Sequence, residues 1–167
     1  MPPGVVSSWM FSLKPGDDIT VSGPFGEFHV QPTAREMVYV GGGVGMAPLR
    51  AMIHQELGRG TDRRIRYFYG ARTRDDLFYA DTFEDLATRH PGFNWTPALS
   101  DPAPGDRWLG ATGFIHEILY AEMSSHPAPE DCEYYLCGPP VMISAVLSTL
   151  ERLGVAPDAI FYDDFGA

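Results

Sequence analysis

Glycines at positions 41, 42, 43 and 45 interrupt the run Glu36 to Ile53, which reads Glu-Met-Val-Tyr-Val-Gly-Gly-Gly-Val-Gly-Met-Ala-Pro-Leu-Arg-Ala-Met-Ile. Ahead of them, Met37 to Val40 form a short apolar stretch of the kind carried by a strand buried on both faces. Behind them, Pro48 suits a first helical turn, where no amide hydrogen is needed, and Leu49, Met52, Ile53 and Leu57 recur as one helical stripe. A strand, a bare turn and a helix in that order aim unpaired amides and the positive end of a helix dipole at one point, a setting for pyrophosphate. The glycines would serve it by removing every Cβ that keeps a ligand from the main chain. The spacing is not Gly-x-Gly-x-x-Gly, and no Gly-Lys-Ser/Thr is present, which disfavours a P-loop. Alone, the run is also compatible with nothing more than a tight strand-to-helix turn.

Short strand-like runs alternate with helical patterns from Glu36 onward. Strands are expected at Met37 to Val40, Ile65 to Tyr69, Phe93 to Leu99, Glu133 to Cys137 and Ala159 to Tyr162. Helices are expected near Ala47 to Gly58, Asp81 to Arg89, Gly113 to Met123 and Pro140 to Leu153, the last stopped by Gly154. This alternation predicts an α/β fold, a doubly wound parallel sheet of five strands in the order 3-2-1-4-5 with right-handed crossovers. Ligands of such sheets bind outside the carboxyl ends of the strands, where the winding reverses. Here that point lies between strands one and four. Strand four ends in a second bend with little side-chain bulk, Cys137-Gly138-Pro139-Pro140, so two distant bare bends would stand side by side.

The first 33 residues read differently. Ser7 to Leu13 has room for one or two helical turns, Ile19-Thr20-Val21-Ser22 alternates like a strand, and Gly23-Pro24-Phe25-Gly26 is a turn. This is too little to bury Trp9, Phe11, Phe25 and Phe28, and it resembles the tail of a preceding β-rich domain (1–33), with the nucleotide domain following (34–167).

The whole chain, 167 residues, suits one domain plus a remnant of another. A net charge of −10 without clustered arginines argues against nucleic acid as a partner. No apolar run approaches about 18 residues and no leader pattern opens the chain, so neither a membrane span nor a secretory signal is expected in it. Cys132 and Cys137 fall on opposite faces of one strand, roughly 16 Å apart at about 3.3 Å per residue, beyond disulfide reach. His29, His54, His90, His116 and His126 lack zinc-site spacing, and no metal site is expected.

Several motifs in order carry a resemblance. Gly23-Pro24-Phe25-Gly26-Glu27-Phe28, Gly41 to Pro48, Tyr69-Gly70-Ala71-Arg72 and Cys137-Gly138-Pro139-Pro140 are similar to the ferredoxin-NADP reductase superfamily. Pro129 to Cys137 and the terminal Asp163-Asp164-Phe165-Gly166-Ala167 narrow it to the F subunits of sodium-translocating NADH:quinone reductases. The resemblance implies a carboxy-terminal, ferredoxin-reductase-type NADH-binding domain. Its neighbours in the full polypeptide would be a membrane anchor, a [2Fe-2S] ferredoxin domain and an FAD-binding barrel, of which residues 1–33 are the remnant. The expected setting is the cytoplasmic face of the bacterial inner membrane, among other subunits of a membrane complex. Hydride would pass from NADH to FAD and electrons on to the [2Fe-2S] centre. The isolated piece, lacking the Arg-x-Tyr-Ser flavin stretch and the cluster cysteines, would hold flavin weakly or not at all and be inactive alone.

Residue roles follow from the same resemblance. Gly43, Val44, Gly45 and Met46 would face the dinucleotide pyrophosphate through their amides, flanked by Gly42 and Ala47, with Gly138 and Pro139 in the facing bend. Cys137 would lie beside the reactive nicotinamide carbon; read from composition alone it is a buried structural thiol. Phe165 would cover the flavin ring, or else anchor the last strand. Ser7 and Ser8 match contacts to flavin pyrophosphate, or else cap a helix. Asp163 and Asp164 would orient Cys137 or relay a proton, or else form a solvated terminus. Arg72 and Arg74 stand where NAD-binding folds often carry an acid, which leans to NADPH on chemistry alone, whereas the resemblance implies NADH. Two other functions fit: the reductase component of a multicomponent oxygenase, and a nucleotide-sensing module without redox chemistry.

Overall fold

A computed structural model describes residues 4–23 and 25–163. Pro24, Asp164, Phe165 and the final Gly166-Ala167 lie outside the described residues, and with them the ring-covering role expected of Phe165. Strands β1 (Met37–Gly42), β2 (Ile65–Ala71), β3 (Phe93–Leu99), β4 (Ala111–Thr112), β5 (Glu133–Cys137) and β6 (Ile160–Asp163) form one sheet. Its order is β4-β3-β2-β1-β5-β6, and every pairing is parallel. The five expected strands keep their expected order. The expected count was one short, because β4 has two residues and extends β3 only at Ala98 and Leu99, too short a run to show a period in sequence.

Side-chain alternation in the central strands produces two apolar layers. Met37, Tyr39, Tyr67, Tyr69, Tyr135 and Cys137 face helices α2 (Met46–Gly58) and α3 (Ala80–Arg89), meeting Leu49, Ile53 and Phe83. Val38, Val40, Phe68, Tyr134, Leu136 and Cys132 face α4 (Ile115–Met123) and α5 (Pro140–Arg152), meeting Leu119, Ile143 and Val146. Strands β1 and β5 are buried along their whole length, which explains why they read as unbroken apolar runs. The two cysteines lie in opposite layers, as their five-residue spacing requires. Five buried tyrosines in these strands all place their hydroxyls on an acceptor: Tyr39 on Met37 Sδ, Tyr67 on Met46 Sδ, Tyr69 on the Gly43 carbonyl, Tyr134 on the Pro129 carbonyl and Tyr135 on Glu133. Burial of a hydroxyl is tolerable on that condition.

The amino-terminal segment forms α1 (Val5–Ser12), which buries none of its residues. Residues 19–22 form no strand, contrary to their alternation. An alternating run becomes a strand only beside a partner, and none pairs with it among the described residues. Phe28 and Val30 pack on the α2 layer, while Trp9, Phe11 and Phe25 stay exposed.

The segment that enters β1 is tied down at the amino ends of the strands. Glu133 accepts from Thr33 Oγ1 at 2.7 Å, from Tyr135 Oη at 2.8 Å and from Arg63 Nη2 at 2.5 Å. Arg63 also donates Nη1 to the Gln31 carbonyl at 3.1 Å and Nε to the Arg35 carbonyl at 2.5 Å. Both side chains are nearly buried, at 10% and 3% exposure. Removing one member therefore strands a charge rather than merely losing an attraction. Arg63→Ala is expected to lower stability by about 3–5 kcal/mol, read by urea denaturation; a loss of less than about 1 kcal/mol would mean that Glu133 is not dependent on Arg63.

Candidate functional site

Parallel pairing in register brings the carboxyl ends of β1 and β5 together, Gly41 opposite Cys137 and Gly42 opposite Gly70 of β2. After β1 the chain makes one 3-10 turn, Gly43–Gly45, and enters α2; after β5 it passes through Gly138 and Pro139 into α5, with Pro140 as its first residue. Both bends thus stand at the reversal point of the sheet, with two helix amino termini beside them. Oriented amides and two aligned dipole ends there favour a negatively charged ligand.

The glycines do more than clear a path for a ligand, which corrects the expectation that each makes room for one. A Cβ on Gly45 would fall 2.0 Å from the Cys137 carbonyl oxygen and 2.7 Å from the Gly138 nitrogen. On Gly42 it would meet Met142 Sδ at 2.7 Å, and on Gly138 Met142 Cε at 2.6 Å. On Gly41 it would press Leu49 and Tyr67 in the core, at 3.0 Å each. These four glycines let one bend pack on the other and on the core. Gly43 is different: it has φ +54° and nothing within 4 Å of its missing Cβ, so its bare face opens outward. Tyr69 Oη, donating to the Gly43 carbonyl at 3.0 Å, holds that turn. Burial, then the Asp76 carboxylate, push this phenol up to about 12, so it stays a donor at neutral pH.

The remaining predicted residues take varied places. Val44 is 83% exposed at the turn. Ala47 is exposed, whereas Met46 turns its side chain into the core and its amide donates to the Gly43 and Val44 carbonyls. Pro139 is exposed beside Gly138. Cys137 is fully buried between Gly41 and Asp163, and burial, then the Asp163 carboxylate, push its thiol up to about 11, so it is neutral at physiological pH. Ser7 and Ser8 face solvent on α1, and Gly4 rather than either serine occupies the helix cap. Arg72, just past β2, pairs with Asp101, and Arg74 donates to the Asp106 carbonyl at 3.2 Å.

Beside the two bends, Phe25, Phe28, Pro48, Phe161, Tyr162 and Asp163 line a cleft of about 520 Å³ that joins the amino-terminal segment to the end of β6. The contacts of Tyr69 with Gly43 and of Asp101 with Arg72 were not legible in the sequence. Arg50 lies over the Tyr79 ring at 4.3 Å, and Tyr79 takes a left-handed backbone at φ 57°. Only the position of Asp101 shortly after a strand carried any signal.

Among the described residues, one group could bring three metal-ligating atoms within 4.8 Å: Glu36, His126 and Cys132, at the amino ends of the strands. Its members are already engaged. Arg66 holds one Glu36 oxygen at 2.5 Å, and the Ala128 amide donates to His126 Nδ1, which leaves Nε2 with the proton that faces the other oxygen at 3.3 Å. Burial, then Glu36, push the Cys132 thiol up to about 12. A cation there would compete with the Arg66 charge for Glu36.

A doubly wound parallel sheet with a glycine turn opening a helix at its reversal point defines a dinucleotide-binding domain. Residues 39–148 match the family described as oxidoreductase NAD-binding domain, and the chain belongs to it. It is similar to the F subunit of the Na(+)-translocating NADH-quinone reductase of Actinobacillus succinogenes, 54% identical over 168 residues, which is 99% of this chain and 41% of that one. The corresponding chain of Klebsiella pneumoniae is 54% identical over 167 residues, again 99% and 41%. The chain thus spans about two fifths of the length of these relatives. Among solved structures it is similar to Amycolatopsis cytochrome P450 reductase GcoB, with TM-score 0.82 and 32% identity over 99% of this chain and 50% of that one. The ferredoxin reductase of carbazole 1,9a-dioxygenase gives TM-score 0.77 and 29% identity over 99% and 49%. The resemblance read from the motifs holds, and the architecture is of the ferredoxin-reductase type.

If the glycines serve contact between the bends, two substitutions a pair of residues apart should differ. Gly45→Ala is expected to cost about 3 kcal/mol or more, since backbone and not a flexible side chain must yield, and Gly43→Ala about 1 kcal/mol for its left-handed φ alone. Urea denaturation of both variants checks the ordering.

Proposed function

We propose that the chain is the NADH-binding module of a membrane-associated flavoenzyme, a sodium-pumping NADH:quinone reductase. In the whole protein an FAD and a [2Fe-2S] centre held by other domains would take up the hydride of NADH and its electrons. One observation carries the dinucleotide reading: the β1 and β5 bends meet backbone to backbone at Gly45 and Cys137-Gly138, at the point where the sheet reverses. The similarity to the F subunits of the sodium-translocating reductases supports the particular enzyme.

In this reading residues 1–33 are the end of an FAD-binding barrel and 34–167 the NADH-binding domain. The exposure of Trp9, Phe11 and Phe25 supports a missing neighbour for the first segment. The dinucleotide supplies the hydride when bound. This chain's residues bind and orient it: the open face of Gly43 and the α2 amino terminus receive the pyrophosphate, with Gly42, Val44, Gly45, Met46 and Ala47 shaping that turn. Gly138 and Pro139 hold the facing bend, and Cys137, enclosed beneath that bend and paired with Asp163 of β6, would lie on the nicotinamide side of the turn. Ser7 and Ser8 would meet the flavin pyrophosphate and Phe165 the flavin ring. The dinucleotide, the flavin and ferredoxin domains of the same polypeptide, and other subunits of a complex at the cytoplasmic face of the inner membrane are the partners. No helix among the described residues is long and apolar enough to cross a membrane, so the anchor would lie elsewhere in the protein.

A second reading, an oxygenase reductase component, is favoured by the structural likeness to the carbazole dioxygenase reductase, at lower identity than to the sodium-translocating reductases. A transmembrane segment in the complete gene product favours the pump.

Calorimetric titration of the chain with NADH should give saturable one-site binding; no heat of binding at millimolar nucleotide would remove the dinucleotide reading. In the whole flavoprotein, Cys137→Ala should slow flavin reduction by NADH about tenfold, with a smaller change in NADH affinity, because positioning of the reacting carbon is lost before binding is. Unchanged stopped-flow kinetics would leave Cys137 a packing residue.

A further inference from the structure

A turn that binds an anion through its main chain depends on which way each peptide faces. In a planar trans peptide the carbonyl and the amide hydrogen point in opposite directions, so wherever the Gly43 carbonyl points, the Val44 amide points the other way. Rotation of such a peptide plane is what separates turns of types I and II, and glycine is the residue that accepts the less common form. Gly43, at φ +54° and with nothing within 4 Å of its missing Cβ, offers little resistance of its own to that rotation.

Tyr69 supplies the resistance. Its hydroxyl donates to the Gly43 carbonyl at 3.0 Å, and the Met46 amide donates to the same oxygen. The ring is fully buried, stacked on Trp95 with centroids 5.9 Å apart and tilted against Tyr67 at 6.0 Å, so the hydroxyl is held in one place. With the Gly43 carbonyl directed at this phenol, the Val44 amide hydrogen is turned away from it. In the rotated form a carbonyl oxygen would stand there instead and repel a phosphate. Tyr67, two residues earlier on the same face of β2, touches the other end of the turn, its hydroxyl 3.2 Å from Met46 Sδ. It passes under Gly41, where a Cβ would come within 3.0 Å of the hydroxyl oxygen. Both tyrosines brace the turn, but only Tyr69 fixes the direction of a peptide.

We propose that Tyr69 is a positioning residue for the nucleotide, locking the Gly43-Val44 peptide so that an amide hydrogen, and not a carbonyl oxygen, is presented to the pyrophosphate. The inference rests on the dinucleotide reading of the site and goes beyond it, because it makes the affinity of the turn depend on a buried side chain of the neighbouring strand that acts only through the main chain.

The test is calorimetric titration of the chain with NADH and with ADP-ribose, which share the pyrophosphate, for the natural protein, Tyr69→Phe and Tyr67→Phe, with the Val44 amide followed by nitrogen-15 NMR. In the natural protein the Val44 amide signal should move on addition of ADP-ribose. Tyr69→Phe should weaken both ligands by about fivefold, the worth of one neutral hydrogen bond, and Tyr67→Phe should stay within about twofold of the natural protein. The Val44 amide of free Tyr69→Phe should show microsecond-to-millisecond exchange that saturating ADP-ribose suppresses, a signature that lost packing alone would not give. Affinities of Tyr69→Phe within about twofold of the natural values would overturn the proposal, as would a loss for NADH but not for ADP-ribose, or an equal loss in Tyr67→Phe. A Val44 amide unmoved by saturating ADP-ribose in the natural protein would overturn it without recourse to any variant. Each of these results leaves the dinucleotide reading intact, whereas binding of neither ligand by the natural protein would overturn both.

Discussion

Two loops that leave parallel neighbouring strands diverge unless something holds them, and here the holding is done by main chain against main chain. Gly45 lies so close to the Cys137-Gly138 peptide that no side chain fits between them. That contact fixes where α2 and α5 begin, and with them the direction of both dipole ends. It also fixes Cys137, which has strands on either side and cannot move without β1 and β6. A rigid support of this kind suits a domain that must hold a dinucleotide in one orientation.

Charge is sorted along the strands. At the amino ends, Arg63 with Glu133 and Arg66 with Glu36 and Glu122 form partly or fully buried pairs that fasten the entering segment and α4 to the sheet. Because burial makes these pairs costly to break, that end behaves as a closed clamp. At the carboxyl ends the Arg72–Asp101 pair is exposed and contributes little to stability. One end of the sheet is therefore committed to holding the fold while the other carries the two bends, a division that parallel strands permit because all their carboxyl ends point one way.

Much of this was legible in the residues. Apolar runs such as Met37 to Val40 and Glu133 to Cys137 must be buried on both faces, so the two-layer parallel sheet and the order of its five main strands followed from local pattern and winding rules. The glycine turn before α2 and the bare bend after β5 marked the reversal point. Residues 19–22 misled, since alternation describes a strand only when a neighbour supplies the ladder, and β4 was too short to have a period at all.

What the sequence determined by itself was therefore the fold, the family and the bare bends at the reversal point of the sheet, because these depend on periodicity and on which residue types a turn can hold. Tertiary structure decided which glycine faces outward, that Tyr69 holds the turn, and that Asp101 rather than open solvent faces Arg72. The two pairings among these join residues 26 or more positions apart, brought into contact by strand register. No local pattern records such a pairing, because the geometry that creates it exists only once the sheet has formed.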